Sequence, residues 1–373
     1  MSRLWFKWHK LLALLAFLPI ILIAVSGSIL VFKHQLDSLL MPDKVSISET
    51  GQRLNIDTLL LQMKTQLPEY EVGTWELFQD GETADRVYLI KRGSFDWFKV
   101  FLNPYTGEAL SQPVPLHHYL TDWLLELHHN LLLDTSGLII GLLSSLIMLY
   151  LAISGLVMHR KFWRQLFALK LSKDKRKQYS SIHKLAGVWS APVLLILSFT
   201  GGYWNVLHLL HESEEHSASP YVLQQPLYNQ KLSINTLMQQ ASDTIKGFEP
   251  TYLVLAYEPG VPLMIYGRIQ INNPFYSDYA NMVSFTPDSG ELQTHWDVRE
   301  RAWYFVLDDS FRALHFGTFA GLASKLVWCL LGAMPLVLGF TGLYLWWRKR
   351  KSPSKAFNTN PADKINVLSR HTQ

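Results

Sequence analysis

One cysteine, Cys329, stands in a chain of 373 residues. A lone thiol excludes an intramolecular disulfide, a Cys-rich zinc site and the Cys-x-x-Cys-His attachment of c-type haem. Charge is scarce as well. Asp, Glu, Lys and Arg make up 17% of the chain, against about 25% in an ordinary soluble domain. The scarcity is local: residues 11–32, 135–158, 185–207 and 326–347 contain none of the four. Each run is long enough to cross ~30 Å of hydrocarbon as a helix. The first exceeds a usual signal-peptide core, and Ser26-Gly27-Ser28 is a poor cleavage site, so it reads as a retained span. Also missing are a His-Glu-x-x-His helix, a phosphate-binding glycine loop and a nicotinamide or flavin fingerprint. Hydrolytic and nucleotide chemistry therefore have no visible carrier.

Basic residues are abundant in three places only. Residues 1–10 hold three Lys and Arg, residues 159–184 hold nine and residues 348–373 hold seven, together 19 of the 34 in the chain. Such clustering assigns these segments to the cytoplasm. The net charge of +4 is this bias and gives no support for nucleic-acid binding. The resulting organisation is a cytoplasmic N-terminus and first span (1–33), an outside domain (34–127), a second span (128–158), a basic cytoplasmic loop (159–183), a third span (184–208), a second outside domain (209–314), a fourth span (315–347) and a basic cytoplasmic tail (348–373). Membrane lipids are the surroundings this implies.

The chain is written twice. "RLNIDTL" at 53–59 matches "KLSINTL" at 231–237, "LELHH" at 125–129 matches "RALHF" at 312–316, and "WHKLLALLAFLPIILIAVSG" at 8–27 matches "IHKLAGVWSAPVLLILSFTG" at 182–201. The order is the same in both halves, so the repeat is parallel, with its axis along the membrane normal. Each outside domain combines alternating strands with an amphipathic helix, an α+β module of about 100 residues. Spacings are kept as well as residues. His9 to Ser26-Gly27 and His183 to Thr200-Gly201 are both 17 residues, and His128 to Ser154-Gly155 and His315 to Thr341-Gly342 are both 26. His9 to His34 and His183 to His208 are both 25. The Ser/Thr-Gly pairs read as small residues for close helix packing.

Ionisable groups at membrane depth are functional candidates. Imidazoles on facing helices suit a haem iron, and two of them fill both axial positions, leaving electron transfer as the chemistry. The symmetric pairs are His9 with His183 inside and His128 with His315 outside. Outer alternatives stay open: His34 with His315, His208 with His128, or replacement by His129 or His211. His159 lies at inner depth, but its repeat counterpart is Trp346. Interfacial histidines that bond headgroups are the plain alternative. A zinc or copper site is the rival for the outer cluster, and "HESEEHSAS" at 211–219 reads as a solvated acidic loop.

At these residues the chain resembles the PepSY-associated transmembrane helix family, the iron-regulated inner-membrane proteins. The resemblance is carried by the span sequences above, by "LHHNLLLDTSGLIIGLLSSLIMLYLAISGLVMHR" and by the "NPYTGE" and "TPDSGE" turns. It implies four transmembrane helices, two periplasmic PepSY-like α+β domains and a multi-pass place in a bacterial inner membrane with both termini cytoplasmic. It further implies a ferric-siderophore reductase. Two non-covalent b haems would be ligated by His9, His183, His128 and His315, with a cytoplasmic or quinol electron donor and a ferric siderophore or other ferric chelate as acceptor. Leu12-Ala13 stands where the third span has Ala186-Gly187, so packing around His9 is expected to differ. A non-redox anchored binding or regulatory protein and an iron or siderophore transporter are the competing readings.

Overall fold

The computed structural model describes residues 2–48, 51–159, 161, 167, 172–215, 221–269 and 273–351. Much of the expected basic loop, most of the basic tail, part of the acidic stretch at 211–219, and His216 and His371 lie outside the described residues. The first half runs α1 (Ser2–Leu15), α2 (Phe17–Leu30), α3 (Lys33–Leu40), α4 (Pro42–Val45), α5 (Ile56–Gln66), β1 (Tyr70–Glu76), β2 (Asp85–Lys91), β3 (Trp97–Leu102), β4 (Val114–Pro115), α6 (Leu120–Asn130) and α7 (Asp134–Met158). The second runs α8 (Lys175–Glu215), α9 (Ile234–Thr244), β5 (Phe248–Val254), β6 (Leu263–Ile269), β7 (Asn281–Phe285), β8 (Leu292–Trp296), α10 (Trp303–Phe316), α11 (Gly321–Gly332) and α12 (Met334–Lys351).

Among the described residues, three helical stretches are long and apolar enough to cross a membrane: Asp134–Met158, Lys175–Ser213 and Gly321–Lys349. The first expected span is a fourth only as a broken pair, because α1 and α2 meet at a bend of 68°. Proline explains the break. Pro19 is the third residue of α2 and has no N–H for a carbonyl in the last turn of α1. The same device recurs at Pro335, second in α12, just after the interruption at Ala333. Pro192 sits inside α8 without ending it, as happens where neighbouring helices hold the chain.

The two α+β modules do not stand apart. Their strands form one eight-stranded antiparallel sheet, in the order β4-β3-β2-β1-β5-β6-β7-β8. Equivalent strands β1 and β5 meet at the centre, and Trp75 pairs with Leu253, its own counterpart in the repeat. Both strands carry an irregularity at the matching place, between Val72 and Thr74 and between Pro250 and Tyr252. Strand alternation puts Val87, Leu89, Leu263 and Ile265 on one buried face. Ile56, Leu59 and Met63 of α5, and Ile234, Leu237 and Ala241 of α9, pack onto that face at matching positions. Full burial of each leucine stabilises the core by about 2 kcal/mol. Asp57 of α5 also crosses between repeats. Its carboxylate accepts from the Ser233 hydroxyl at 2.6 Å and from the Ile234 N–H at 2.7 Å, so it caps α9.

A charged network ties the opposite side of the sheet to the helices. Lys33 of α3 reaches Asp37 at 2.7 Å, the Thr121 hydroxyl at 3.0 Å and Asp122 at 3.3 Å. Lys99 of β3 pairs with Asp122, and Arg86 of β2 with Glu76 at 2.8 Å. Lys99 is buried, and loss of water pushes its ammonium down to about 8 despite the carboxylate beside it. Lys99 and Lys33 together hold Asp122 below the usual carboxylate range, against its burial. The network fixes the start of α6, and α6 carries His128 and His129 at its other end.

Candidate functional site: four histidines held by hydroxyls

The turn after α6 explains the "HHNLLLD" run. Leu131, Leu132 and Asp134 all have positive φ (55°, 60° and 48°), a region that non-glycine residues enter at a cost. Asn130 holds them there: its side-chain carbonyl accepts from the Leu132 N–H at 2.9 Å, and its amide donates to Glu126 at 3.0 Å. A Cβ on Gly137 would fall 1.5 Å from the Asn130 carbonyl oxygen, so only glycine permits this turn. The result presents His128 toward α2 at the edge of the apolar bundle.

Each histidine of the two symmetric pairs finds a Ser/Thr-Gly pair on a facing helix. The Nδ1 of His9 lies 2.7 Å from the Ser154 hydroxyl, that of His183 2.9 Å from Thr341, and that of His315 2.7 Å from Thr200. The Nδ1 of His128 lies 2.9 Å from the Ile23 carbonyl and 3.4 Å from the Ser26 hydroxyl. The four hydroxyls already donate to backbone: Ser26 to Leu22 at 2.7 Å, Ser154 to Leu151 at 3.2 Å, Thr200 to Ile196 at 2.8 Å and Thr341 to Val337 at 2.6 Å. A hydroxyl that donates to the backbone is free to accept from the imidazole, and the Ile23 carbonyl beside His128 can only accept. His128 therefore carries its proton on Nδ1 and keeps a lone pair on Nε2, and the hydroxyls at His9, His183 and His315 accommodate the same tautomer. This is the tautomer and anchoring that metal-bound histidines require.

The glycines make the room. A Cβ on Gly27 would come 2.5 Å from His128 Cε1, and on Gly201 3.4 Å from His315 Cε1. On Gly342 it would meet His183 Cε1 at 3.5 Å, and on Gly155 His9 Cε1 at 3.9 Å. The contact is loosest at His9, the helix whose neighbouring sequence departs most from the repeat. Small residues for helix packing was too narrow an expectation for these pairs: the hydroxyl orients a ring and the glycine admits it. The constant 17- and 26-residue spacings marked histidines and pairs as one repeated set, but each histidine meets a pair other than the one its spacing names: His9 meets Ser154, His128 Ser26, His183 Thr341 and His315 Thr200.

The structure brings His128 and His315 together, with ring centroids 6.2 Å apart and planes at 59°. Two imidazoles bound trans to one metal at ~2.0 Å per bond would have centroids about 6.3 Å apart. In separation the two rings match a bis-histidine iron. His9 and His183 lie within electrostatic reach of each other at the sheet-distal end. Trp204 packs on His315 with centroids 5.0 Å apart.

The remaining candidates are placed differently. The His34 Nε2 lies 3.3 Å from the Thr83 hydroxyl and its ring stacks on Phe78, so the sheet module holds it. His159 ends α7, with its backbone N–H on the Gly155 and Leu156 carbonyls, and its ring lies near Lys184. His129 and His208 touch edge to face, centroids 4.5 Å apart. His211 is exposed near the end of α8. Among the described residues no three His, Cys, Asp or Glu are assembled as a ready metal site.

Fold and site together define a helical membrane protein that carries a shared β-sheet domain and duplicated histidines within its bundle. The chain belongs to the PepSY-associated TM region family, which matches residues 6–349. An uncharacterised protein of Pseudomonas aeruginosa is 32% identical over 80 residues, which are 21% of this chain and 20% of that relative. The chain thus spans about a fifth of the curated relative it matches.

Proposed function

We propose that the protein carries electrons across a bacterial inner membrane and reduces ferric iron, held by a siderophore or another chelator, on the periplasmic side. The observation that carries the reading is the fourfold arrangement of histidine, hydroxyl and glycine, with the Nδ1 of each ring anchored on a hydroxyl or carbonyl. His9 with His183 and His128 with His315 would hold two b haems. When bound, a bis-histidine haem supplies a one-electron iron couple with no position open to oxygen. The chain's own work is to hold the four Nε2 atoms, anchor the rings through Ser154, Thr341, Ser26 or Ile23, and Thr200, and exclude water by the apolar bundle. One electron enters from a quinol or a soluble reductase on the cytoplasmic side. One electron leaves to the chelated Fe(III), which becomes Fe(II), and hard oxygen donors then release it. Both termini are cytoplasmic and the sheet domain is periplasmic in this reading, in agreement with the basic segments.

The test is an absorption spectrum of detergent-purified protein from haem-replete cells, oxidised and dithionite-reduced. Sharp reduced α and β bands with about two haems per chain are expected for low-spin bis-histidine sites. Protein that is colourless under these conditions would overturn the reading. A second reading, a non-redox anchored binding protein, has one observation in its favour. A cavity of about 360 Å³ lies between α5, β1 and residues 226–234, lined among others by Lys64, Tyr70, Tyr228 and Lys231.

A further inference from the structure

His129 and His208 are absorbed by neither symmetric pair, and the repeat makes them conspicuous. The counterpart of His129 in the second half is Phe316, and that of His208 in the first half is His34, held by Thr83 in the sheet module. One half has thus placed a second imidazole where the other has an apolar ring. We propose that His129 and His208 form a binding site for a divalent transition-metal ion, separate from the four-histidine set and beside His128 and His315.

Three features argue for it. His208 Nδ1 lies 2.8 Å from the Trp204 carbonyl, which can only accept, so the Nε2 of His208 carries a lone pair. The Nε2 of His129 is buried and has no hydrogen-bond partner, a costly state that a metal ion would relieve. The third feature is the ring geometry. Imidazoles bound to one ion at ~2.0 Å have centroids about 4.5 Å apart at a right angle and about 5.1 Å at the tetrahedral angle. The observed 4.5 Å suits adjacent positions on one ion, whereas the 6.2 Å of His128 and His315 suits opposite positions. No macrocycle fits between rings in contact, so a simple ion is the occupant rather than a further haem.

Glu126, one turn before His129 on α6, and Glu212, one turn after His208 on α8, both act electrostatically on His129. They give the site the negative surroundings a dication needs. Two imidazoles leave the other positions to water or to oxygen donors of an incoming chelate. Neutral imidazole with oxygen ligands suits first-row divalent ions in general. Resting on the reductase reading, the ion supplied there is the Fe(II) just released. Trp204 couples the two sites: its ring packs on His315 while its carbonyl orients His208.

The experiment is a titration of haem-loaded, detergent-purified full-length protein with Co(II), read by visible d–d absorption, and anaerobically with Fe(II). About one Co(II) per chain is expected. His129→Phe, which copies the other half of the repeat, and His208→Ala should each weaken binding by more than about tenfold while leaving the haem spectrum in place. His295→Ala, on the exposed strand β8, should leave it unchanged. No stoichiometric Co(II) binding, or binding indifferent to both His129→Phe and His208→Ala, would overturn the site. Co(II) binding to protein that holds no haem would keep this site and remove the reductase reading.

Discussion

Gly27→Ala puts two effects of opposite sign on one residue. In the middle of α2, alanine is favoured over glycine by about 1 kcal/mol on helix propensity alone. Position 27, however, faces the ring of His128: the added methyl would lie 2.5 Å from Cε1 and 2.9 Å from Nδ1. Carbon atoms in contact need about 3.5–4.0 Å, so the ring must retreat by about 1 Å. Such a movement stretches the 2.9 Å bond from Nδ1 to the Ile23 carbonyl beyond hydrogen-bonding range, and it takes Nε2 out of line with His315. The matched control is Gly155→Ala, where the new methyl would meet His9 at 3.9 Å, an ordinary contact. Haem content and reduced-minus-oxidised spectra of the two purified variants are the assay. Gly27→Ala should lose about one of two haems, the one held by His128 and His315, while Gly155→Ala keeps both. A Gly27→Ala protein with full haem and an unchanged spectrum, or equal losses in both variants, would refute this reasoning.

Three other outcomes follow from the same geometry. Thr341→Val keeps the shape but removes the hydroxyl beside His183 Nδ1 and leaves the ring only the Leu338 backbone; haem affinity at the sheet-distal pair should fall by about tenfold, with Thr341→Ser restoring it, as titration of haem into the apo-protein would reveal. Asp57→Ala removes the acceptor of the Ile234 and Asn235 N–H groups while Ser233 still caps α9 at Thr236, so it should cost about 1 kcal/mol, seen as faster amide exchange at Ile234 and Asn235; unchanged exchange would deny the cross-repeat contact. Lys99 has a folded-state pKa of about 8 against 10.5 for an exposed lysine, so between these pH values the unfolded chain binds more protons than the folded one. Stability of the wild type relative to Lys99→Met should therefore rise from pH 8 to 10.5, by on the order of 3 kcal/mol. A pH-independent difference in denaturant midpoints would show that Lys99 is not held in that environment.

The sequence alone determined the charge-free runs, the duplication and the matching depth of the four histidines. These are local or periodic properties: an apolar run of span length has few other uses, and a repeat is a relation of the chain to itself. The amphipathic helices α5 and α9 were equally plain, since burial of Ile56, Leu59 and Met63, and of Ile234, Leu237 and Ala241, follows helical periodicity. Tertiary structure decided what these parts do to one another. A Ser-Gly pair reads the same whether it lets two helices approach or accepts a proton from an imidazole 102 or 145 residues away. The pairing of Trp75 with Leu253, which merges two modules into one sheet, joins strand centres that no turn connects. Three prolines look alike in the chain, yet Pro19 and Pro335 stand at helix breaks and Pro192 lies within a continuous helix. In each case the deciding partner lies far along the chain, and hydrogen bonds and contacts of that kind exist only once the helices and strands have packed.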